Sequence, residues 1–321
     1  FYNSRQFLFL QLLEDFEFMK NFSSKLSASQ QAERLLPPQR RVKAVLDTDA
    51  YNEIDDQFAI LYAMLSPEKI DLQAIYAALF YNGRSSSPAD GMEKSYQEIL
   101  KICGLTGRDP EGFVFRGCRA PLEGPELPQE GEAVNDLIRK ARQASPDDPL
   151  YVIGIGACTN IASAILKCPE IIENLVVVWL GGNTRDWVYP SEFNLSQDLA
   201  AGQVLFDCGV PLVQIPAFGV TNFLITTVPS WRPASREKNK ICDYLVDNVK
   251  AYSNDHFAWS KAIWDRRSRC LSGEQRLDPS SLIHAPWWVS DHSYAFDERR
   301  QFLSAAFSVS TRDANFPGPF H

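Results

Sequence analysis

What this chain lacks narrows its reading first. No run of apolar residues approaches the ~18 that a membrane-spanning helix needs, so no membrane association is expected. No long Lys/Arg run occurs and the formal net charge is −8, which argues against a nucleic-acid partner. The short Arg40-Arg41 pair reads as a solvated strand start. The seven cysteines (Cys103, Cys118, Cys158, Cys168, Cys208, Cys242, Cys270) are scattered without a C-x-x-C pair. That excludes a disulfide framework and a zinc site of the usual spacing; they read as small core residues and point to a reducing, cytoplasmic compartment. The four histidines (His256, His284, His292, His321) show no metal-ligand spacing, although His292, beside Asp291, is a candidate leaving-group acid. Neither G-x-S-x-G nor H-E-x-x-H occurs, and Gly154-x-Gly156 lacks the third glycine of a dinucleotide fingerprint. The opening FLFLQLLEDFEFM carries Glu14, Asp15 and Glu17 and no strongly basic lead, so it does not read as a signal peptide. The chain opens on Phe1 rather than Met, which leaves room for a segment upstream.

What is present is an ordinary globular composition, 45% hydrophobic and 22% charged over 321 residues, enough for a large core. The first two dozen residues show a helical face (Phe7, Leu10, Leu13, Phe16) that fades at Ser23, Ser24, Ser27 and Ser29 and is broken at Pro37-Pro38. Residues 1–40 are therefore expected to form a helical extension, and residues 41–321 a catalytic domain. Apolar strand-like runs then alternate with helical patterns. Strands are expected at Val42–Leu46, Leu72–Leu79, Tyr151–Ile155, Leu175–Leu180 and Pro211–Ile215. Helices are expected at Asp55–Leu65, Met92–Cys103, Glu132–Ala144, Asn160–Lys167 and Ser196–Phe206. Two more follow near Ser235–Ala251 and Asp255–Ile263, and the tail from Pro286 reads as aromatic and irregular. Arg119–Glu130, rich in Pro, Gly and Glu, reads as an exposed loop. Strands that are continuously apolar are covered on both faces, so the fold expected is α/β: an open, mainly parallel, Rossmann-like sheet flanked by helices. Such sheets carry their chemistry outside the carboxyl ends of the strands.

One such end stands out. In VKAVLDTDAYNEIDDQFAILYAML (Val42–Leu65), Asp47, Asp49, Glu53, Asp55 and Asp56 fall within ten residues, between a strand and a helix. Like charges packed this closely are costly unless a positive group sits among them, and a hard divalent cation with oxygen ligands is the simplest one. Helix capping explains one aspartate, not four. An EF-hand is excluded because the alternation breaks at Tyr51 and the required glycine is missing.

DTDAYNEIDD resembles the strand–DxDPGxDD–helix opening of the inosine–uridine preferring nucleoside hydrolase family, with two extra residues and no Pro-Gly. GIGACTNIASAIL (Gly154–Leu166) and LGGNTRDWVYPSEFNLSQDLAA (Leu180–Ala201) resemble two further family segments in family order. Ile263-Trp264-Asp265 stands in the place of its late His-Asp pair. The resemblance spans roughly residues 42–265 and implies a nucleoside-hydrolase-like fold and a calcium-dependent hydrolase that cleaves the N-glycosidic bond of a ribonucleoside or related pentoside. It implies that Asp49, Asp56, the Ile155 carbonyl and Asp265 hold Ca2+. Asp49 is then also the catalytic base for a metal-bound water, and Asp55, Glu192 and Asn194 bind the sugar. Asn82 and Asn183 (or Asp186) correspond to family asparagines that bind substrate, and Trp264 or Trp187 is placed to stack on the leaving group, Trp264 standing where the family has a histidine. A plainer reading competes at several of these positions: Glu192-Phe193-Asn194 as an ordinary helix start, Thr159-Asn160 as a cap, Trp264 as a core aromatic. Two rival functions remain. One is a magnesium phosphohydrolase of haloacid-dehalogenase type with Asp47 as nucleophile, against which Ala50-Tyr51 stands in place of that family's Thr/Val pattern. The other is a non-catalytic, calcium-dependent sugar-binding module. The expected partner is a small molecule, and a homo-oligomeric state stays open.

Overall fold

A computed structural model describes residue 22, residues 24–184, residue 187 and residues 191–223, 225–227, 240–252, 260–262, 282–288 and 294–304. The first expected helix, Trp264, Asp265, Asp186 and His292 lie outside the described residues.

Eight strands form the main sheet: β1 Val42–Thr48, β2 Ile70–Ala77, β3 Val114–Arg116, β4 Leu150–Gly154, β5 Leu175–Leu180, β6 Leu212–Ile215, β9 Leu282–Trp288 and β10 Tyr294–Ser304. Their order is β3-β2-β1-β4-β5-β6-β10-β9. The first six strands are mutually parallel, β10 continues parallel to β6, and β9 pairs antiparallel to β10. Strands β9 and β10 correct the expectation of an irregular tail from Pro286. Residues 260–262 form a strand, β8, paired with β7 (Ile225–Thr227) rather than the end of a helix. The edge strand β3, only three residues long, was not anticipated because so short an apolar run carries no periodicity.

The helices are α1 Ala28–Arg34, α2 Asp56–Met64, α3 Pro88–Thr106, α4 Glu132–Gln143, α5 Thr159–Lys167, α6 Phe193–Gln197, α7 Leu199–Asp207 and α8 Lys240–Tyr252. Local chemistry sets their ends. Ser87 accepts from the Asp90 N–H at 3.1 Å with Pro88 in the first turn, and Gly107 closes α3 in the left-handed conformation, φ 70°. The single helix expected over Ser196–Phe206 is two helices, because Asp198 turns out of helical geometry (φ −156°) to cap α7 at the Ala201 N–H. Its carboxylate also accepts from Thr159 Oγ1 (2.7 Å) and Leu122 N (2.9 Å), so it joins three segments at once.

The core lies on both faces of the parallel sheet. Every residue of β5 is buried, as its unbroken LVVVWL predicts. Trp179 is fully buried, packs edge-on to Phe206 and donates from Nε1 to the Gly156 carbonyl at 3.1 Å. This bond fixes the chain just beyond β4. On the side away from the carboxyl ends, Arg34 of α1 donates to the Glu173 and Pro146 carbonyls, both at 2.6 Å, and so ties the described part of the amino-terminal extension to the domain.

The order 3-2-1-4 places a topological switch between β1 and β4, where neighbouring crossovers leave in opposite directions and open a crevice. The loop after β2 is set against this crevice by a close helix approach. A Cβ at Gly91 of α3 would collide with the Phe80 carbonyl oxygen. We expect Gly91→Ala to cost about 2–3 kcal/mol, read as a lower urea midpoint at unchanged slope, since a backbone atom has no rotamer to escape into.

Candidate functional site

Strand β1 ends at Thr48, and Asp47, Asp49, Asp55 and Asp56 are all at most 2% exposed around its carboxyl end. The bond from Thr48 Oγ1 to Asp56 Oδ1 draws the amino terminus of α2 back onto the strand end. Asp55, at the N-cap position of α2, makes no side-chain cap bond, so capping does not explain the cluster. Between the two aspartate pairs the chain loops through residues 50–54, starting with a bond from Asn52 N to the Asp49 carbonyl at 2.7 Å.

These groups form one wall of a cavity of about 210 Å³ at the switch point. The other walls come from Ile155 after β4, Leu180 at the end of β5, Glu192, Phe193 and Asn194 at the start of α6, and Ala217 and Phe218 after β6. The structure thus brings together Asp49, Asp55, Asp56, Ile155, Glu192 and Asn194, from three separate stretches of the sequence. Asn82 does not line this cavity: its Nδ2 donates to Asn52 Oδ1 at 2.6 Å in the adjoining cleft. Asn183 lies behind the wall, where its Nδ2 donates to the Ser191 carbonyl and its Oδ1 accepts from Phe218 N, both at 3.1 Å. It links the loop after β5 to the loop after β6.

Glu192 and Asn194 are held by groups at strand ends. Glu192 does begin a helix as the plainer reading had it, accepting from Asn194 N and Leu195 N at 3.0 Å, but it also accepts from Gly182 N at 2.8 Å and faces the cavity. Burial pushes its carboxyl up against those three stabilising bonds. Asn194 donates from Nδ2 to the Leu180 carbonyl (3.0 Å) and the Ile155 carbonyl (3.2 Å), so its other polar atom is an acceptor. Thr159 and Asn160 are not the caps the sequence suggested. The N-cap of α5 is Cys158, and Asn160 Nδ2 reaches across to Asp47 Oδ1 at 2.8 Å. That bond lies under the cavity, and no local pattern announces a contact across 113 residues.

Electrostatics dominate the site. Asp49 is held well above the ordinary carboxylate range, first by burial and then by Asp56, Asp55 and Glu53. Burial raises Asp47 to about 7 despite the Asn160 bond. Asp47 Oδ2 and Asp49 Oδ2 are buried without a hydrogen-bond partner. An orphaned carboxylate oxygen beside further carboxylates and a backbone carbonyl is a hard, all-oxygen donor set, and it suits calcium better than zinc. No group of three or more acidic, thiol or imidazole side chains among the described residues meets metal-holding geometry. Of the expected metal ligands, Asp49, Asp56 and Ile155 line this one cavity, and Asp265 lies outside the described residues.

Sequence reading named Trp187 as a stacking candidate but overlooked its partner, Phe218. Trp187 and Phe218 stack at 5.1 Å with planes 15° apart, both about 40% exposed, and Phe218 lines the cavity. The available signal was Phe218-Gly219 just past the last expected strand. Gly219 takes φ 89°, and a side chain there would strike Thr184.

A doubly wound α/β sheet with a buried acidic pocket at its switch point places the protein in the open-sheet α/β class. Within that class the chain belongs to the inosine-uridine preferring nucleoside hydrolase family, whose family model matches residues 44–270. A pyrimidine-specific ribonucleoside hydrolase, RihA, of Citrobacter koseri is 28% identical over 183 residues, 50% of this chain and 55% of that protein. The chain spans about half the length of the curated relatives it matches. A solved inosine-guanosine nucleoside hydrolase superposes with a TM-score of 0.65 at 17% identity, covering 83% of this chain and 94% of that one. A purine-preferring ribonucleoside hydrolase from Gardnerella vaginalis gives 0.57 at 22%, covering 84% and 90%. These two likenesses show the fold.

A pH dependence follows. An acid with a raised folded pKa stabilises the fold below its unfolded pKa and loses that contribution as pH rises through the folded one. In chelator, stability should therefore fall between about pH 4 and pH 7, and Asp47→Asn should flatten that fall by on the order of 4 kcal/mol, measured by urea titration at stepped pH.

Proposed function

We propose that this chain hydrolyses the N-glycosidic bond of a ribonucleoside or related pentoside, with calcium as its metal. The observation that carries the reading is the convergence of Asp49, Asp55, Asp56, Ile155, Glu192 and Asn194 on one cavity from the ends of β1, β4 and β5. N-glycosidic cleavage passes through an oxocarbenium-like sugar, and carboxylates fixed beside the ring before reaction stabilise the positive charge that develops there.

In this reading Asp55, Glu192 and Asn194 take the sugar hydroxyls, the last two oriented by bonds to backbone groups. Asp49 accepts the proton of the attacking water. Calcium held by Asp49, Asp56 and the Ile155 carbonyl would supply a hard Lewis acid that orients the diol and acidifies a water, and its charge would relieve the repulsion among the aspartates. Water adds to the anomeric carbon as the C–N bond breaks, and the electron pair leaves with the base nitrogen. The Trp187–Phe218 pair at the rim supports a flat aromatic aglycone by stacking. The named relatives differ in the base they prefer, so which base leaves is left to the panel below.

The rival phosphohydrolase does not suit the site. Asp47, its required nucleophile, is buried beneath the cavity with one oxygen held by Asn160, and does not line it.

A reducing-sugar assay over a panel of purine and pyrimidine nucleosides tests the proposal. We expect pentose release that chelator abolishes and added calcium restores, and a loss of at least about 10³-fold in kcat for Asp49→Ala. Sugar binding without release would select the non-catalytic module, and no release from any pentoside would sink the hydrolase reading. Trp187→Ala should raise KM about tenfold with less effect on kcat, the mark of a group that binds the aglycone equally in ground and transition states.

A further inference from the structure

Beside the sugar cavity lies a second cleft of about 660 Å³, which shares Asn52 and Glu53 with it. Its centre is Arg84, in the loop between β2 and α3. The Arg84 guanidinium lies 4.4 Å from the ring centroid of Tyr51 and 5.4 Å from that of Tyr252 on α8. Its Nη1 donates to the carbonyls of Asn52 and Glu53, each at 3.3 Å. The Arg84 backbone N–H donates to Asn82 Oδ1 at 2.8 Å, and Asn82 Nδ2 donates to Asn52 Oδ1. Lys94 of α3 holds the Arg84 carbonyl at 2.8 Å.

Directly through Tyr51, Asn52 and Glu53, or by holding Arg84 and Asn82 in place, these contacts brace residues 50–54, the loop that is two residues longer than the family motif it resembles and lacks its Pro-Gly. Asp49 stands at one end of this loop and Asp55 and Asp56 at the other. Pro and Gly would hold such a turn through the backbone alone. Here the stiffening comes from outside the loop. Gln57 holds the Ala50 carbonyl at 2.7 Å, Ile54 is buried against Val249 of α8, and Arg84 takes the two carbonyls between them. A guanidinium suits that task because its planar fork stacks on aromatic faces while it donates in plane.

We propose that Arg84 is a positioning residue that sets the spacing of Asp49 from Asp55 and Asp56 across the lengthened loop, and that it couples this spacing to α8 through Tyr252. The proposal rests on the hydrolase reading above, because the spacing matters through the metal and sugar that these carboxylates hold.

The test uses the full chain with Arg84→Ala and Arg84→Lys. Amide hydrogen exchange is measured in chelator, and terbium binding by luminescence sensitised from the protein's aromatic residues. We expect Arg84→Ala to speed exchange over residues 50–56 about tenfold while β1 and β5 stay protected, and to raise the half-saturating terbium concentration about tenfold. A matching loss in pentose release should follow. Arg84→Lys keeps a charge near the rings but has no planar guanidinium to lie against Tyr51 and Tyr252 while it donates, so it should fall between wild type and alanine; it decides the matter if the alanine variant fails to fold. Wild-type exchange and wild-type terbium affinity in both variants would overturn the role of Arg84 and leave the hydrolase reading standing. Exchange accelerated equally over β1 and β5 in Arg84→Lys would make Arg84 a general stabiliser and overturn it as well. A wild-type chain that neither binds terbium nor releases pentose removes the hydrolase reading and this proposal with it.

Discussion

Four carboxylates are buried within ten residues of one strand end, and the rest of the site is arranged around their mutual repulsion. In water such a cluster would spread apart; here backbone geometry prevents it. Strand β1 ends in Asp47-Thr48-Asp49, α2 opens on Asp56, and the Thr48–Asp56 bond closes the two against each other. Burial drives Asp47 and Asp49 upward in pKa, and the neighbouring carboxylates push Asp49 further. A protein that maintains this state needs a rigid frame beneath it and a compensating charge within it.

The frame is the parallel sheet. Trp179, buried on β5 and bonded to the Gly156 carbonyl, fixes the backbone beside Ile155 at the cavity. Asn160 reaches from α5 to Asp47 and to the Ala77 carbonyl, so β1, β2 and α5 are joined directly beneath the acidic wall. Glu192 and Asn194 are held by the Gly182 N–H and by the Leu180 and Ile155 carbonyls. Side chains anchored on strand ends lose little freedom when a ligand arrives, and that preorganisation is what charge stabilisation in a transition state requires. The aromatic rim sits on loops instead, and loops are where specificity varies among proteins that share a frame.

Much of this was legible residue by residue. The five longer parallel strands follow from runs such as LVVVWL, because a strand covered on both faces must be apolar throughout. The acidic opening could be named as a site candidate because strand ends are where this architecture exposes chemistry, and Ile155, Glu192 and Asn194 through the family resemblance. Other features were not legible. Asp198 reads as a helical residue but breaks the helix, since three donors from distant segments need its carboxylate. Asn82 reads as a ligand but braces a loop, since Asn52 lies within reach only once β1 and β2 are paired. Phe218 carries no motif, and its place in the cavity depends on the turn at Gly219.

The division has one physical cause. Burial pattern, turn chemistry and charge density are local properties, so the chain's α/β class, its strand ends and its acidic cluster could be read along the chain. Which strand ends meet, and therefore which carboxylates, amides and rings share one cavity, depends on the order 3-2-1-4-5-6 that packing imposes on the sheet. The bonds from Asn160 to Asp47, from Arg84 to the Asp49–Asp55 loop and between the rings of Trp187 and Phe218 all join residues far apart in sequence. Their free energies of contact exist only after the loops between them have been closed, and nothing in the spacing of residues along the chain encodes them.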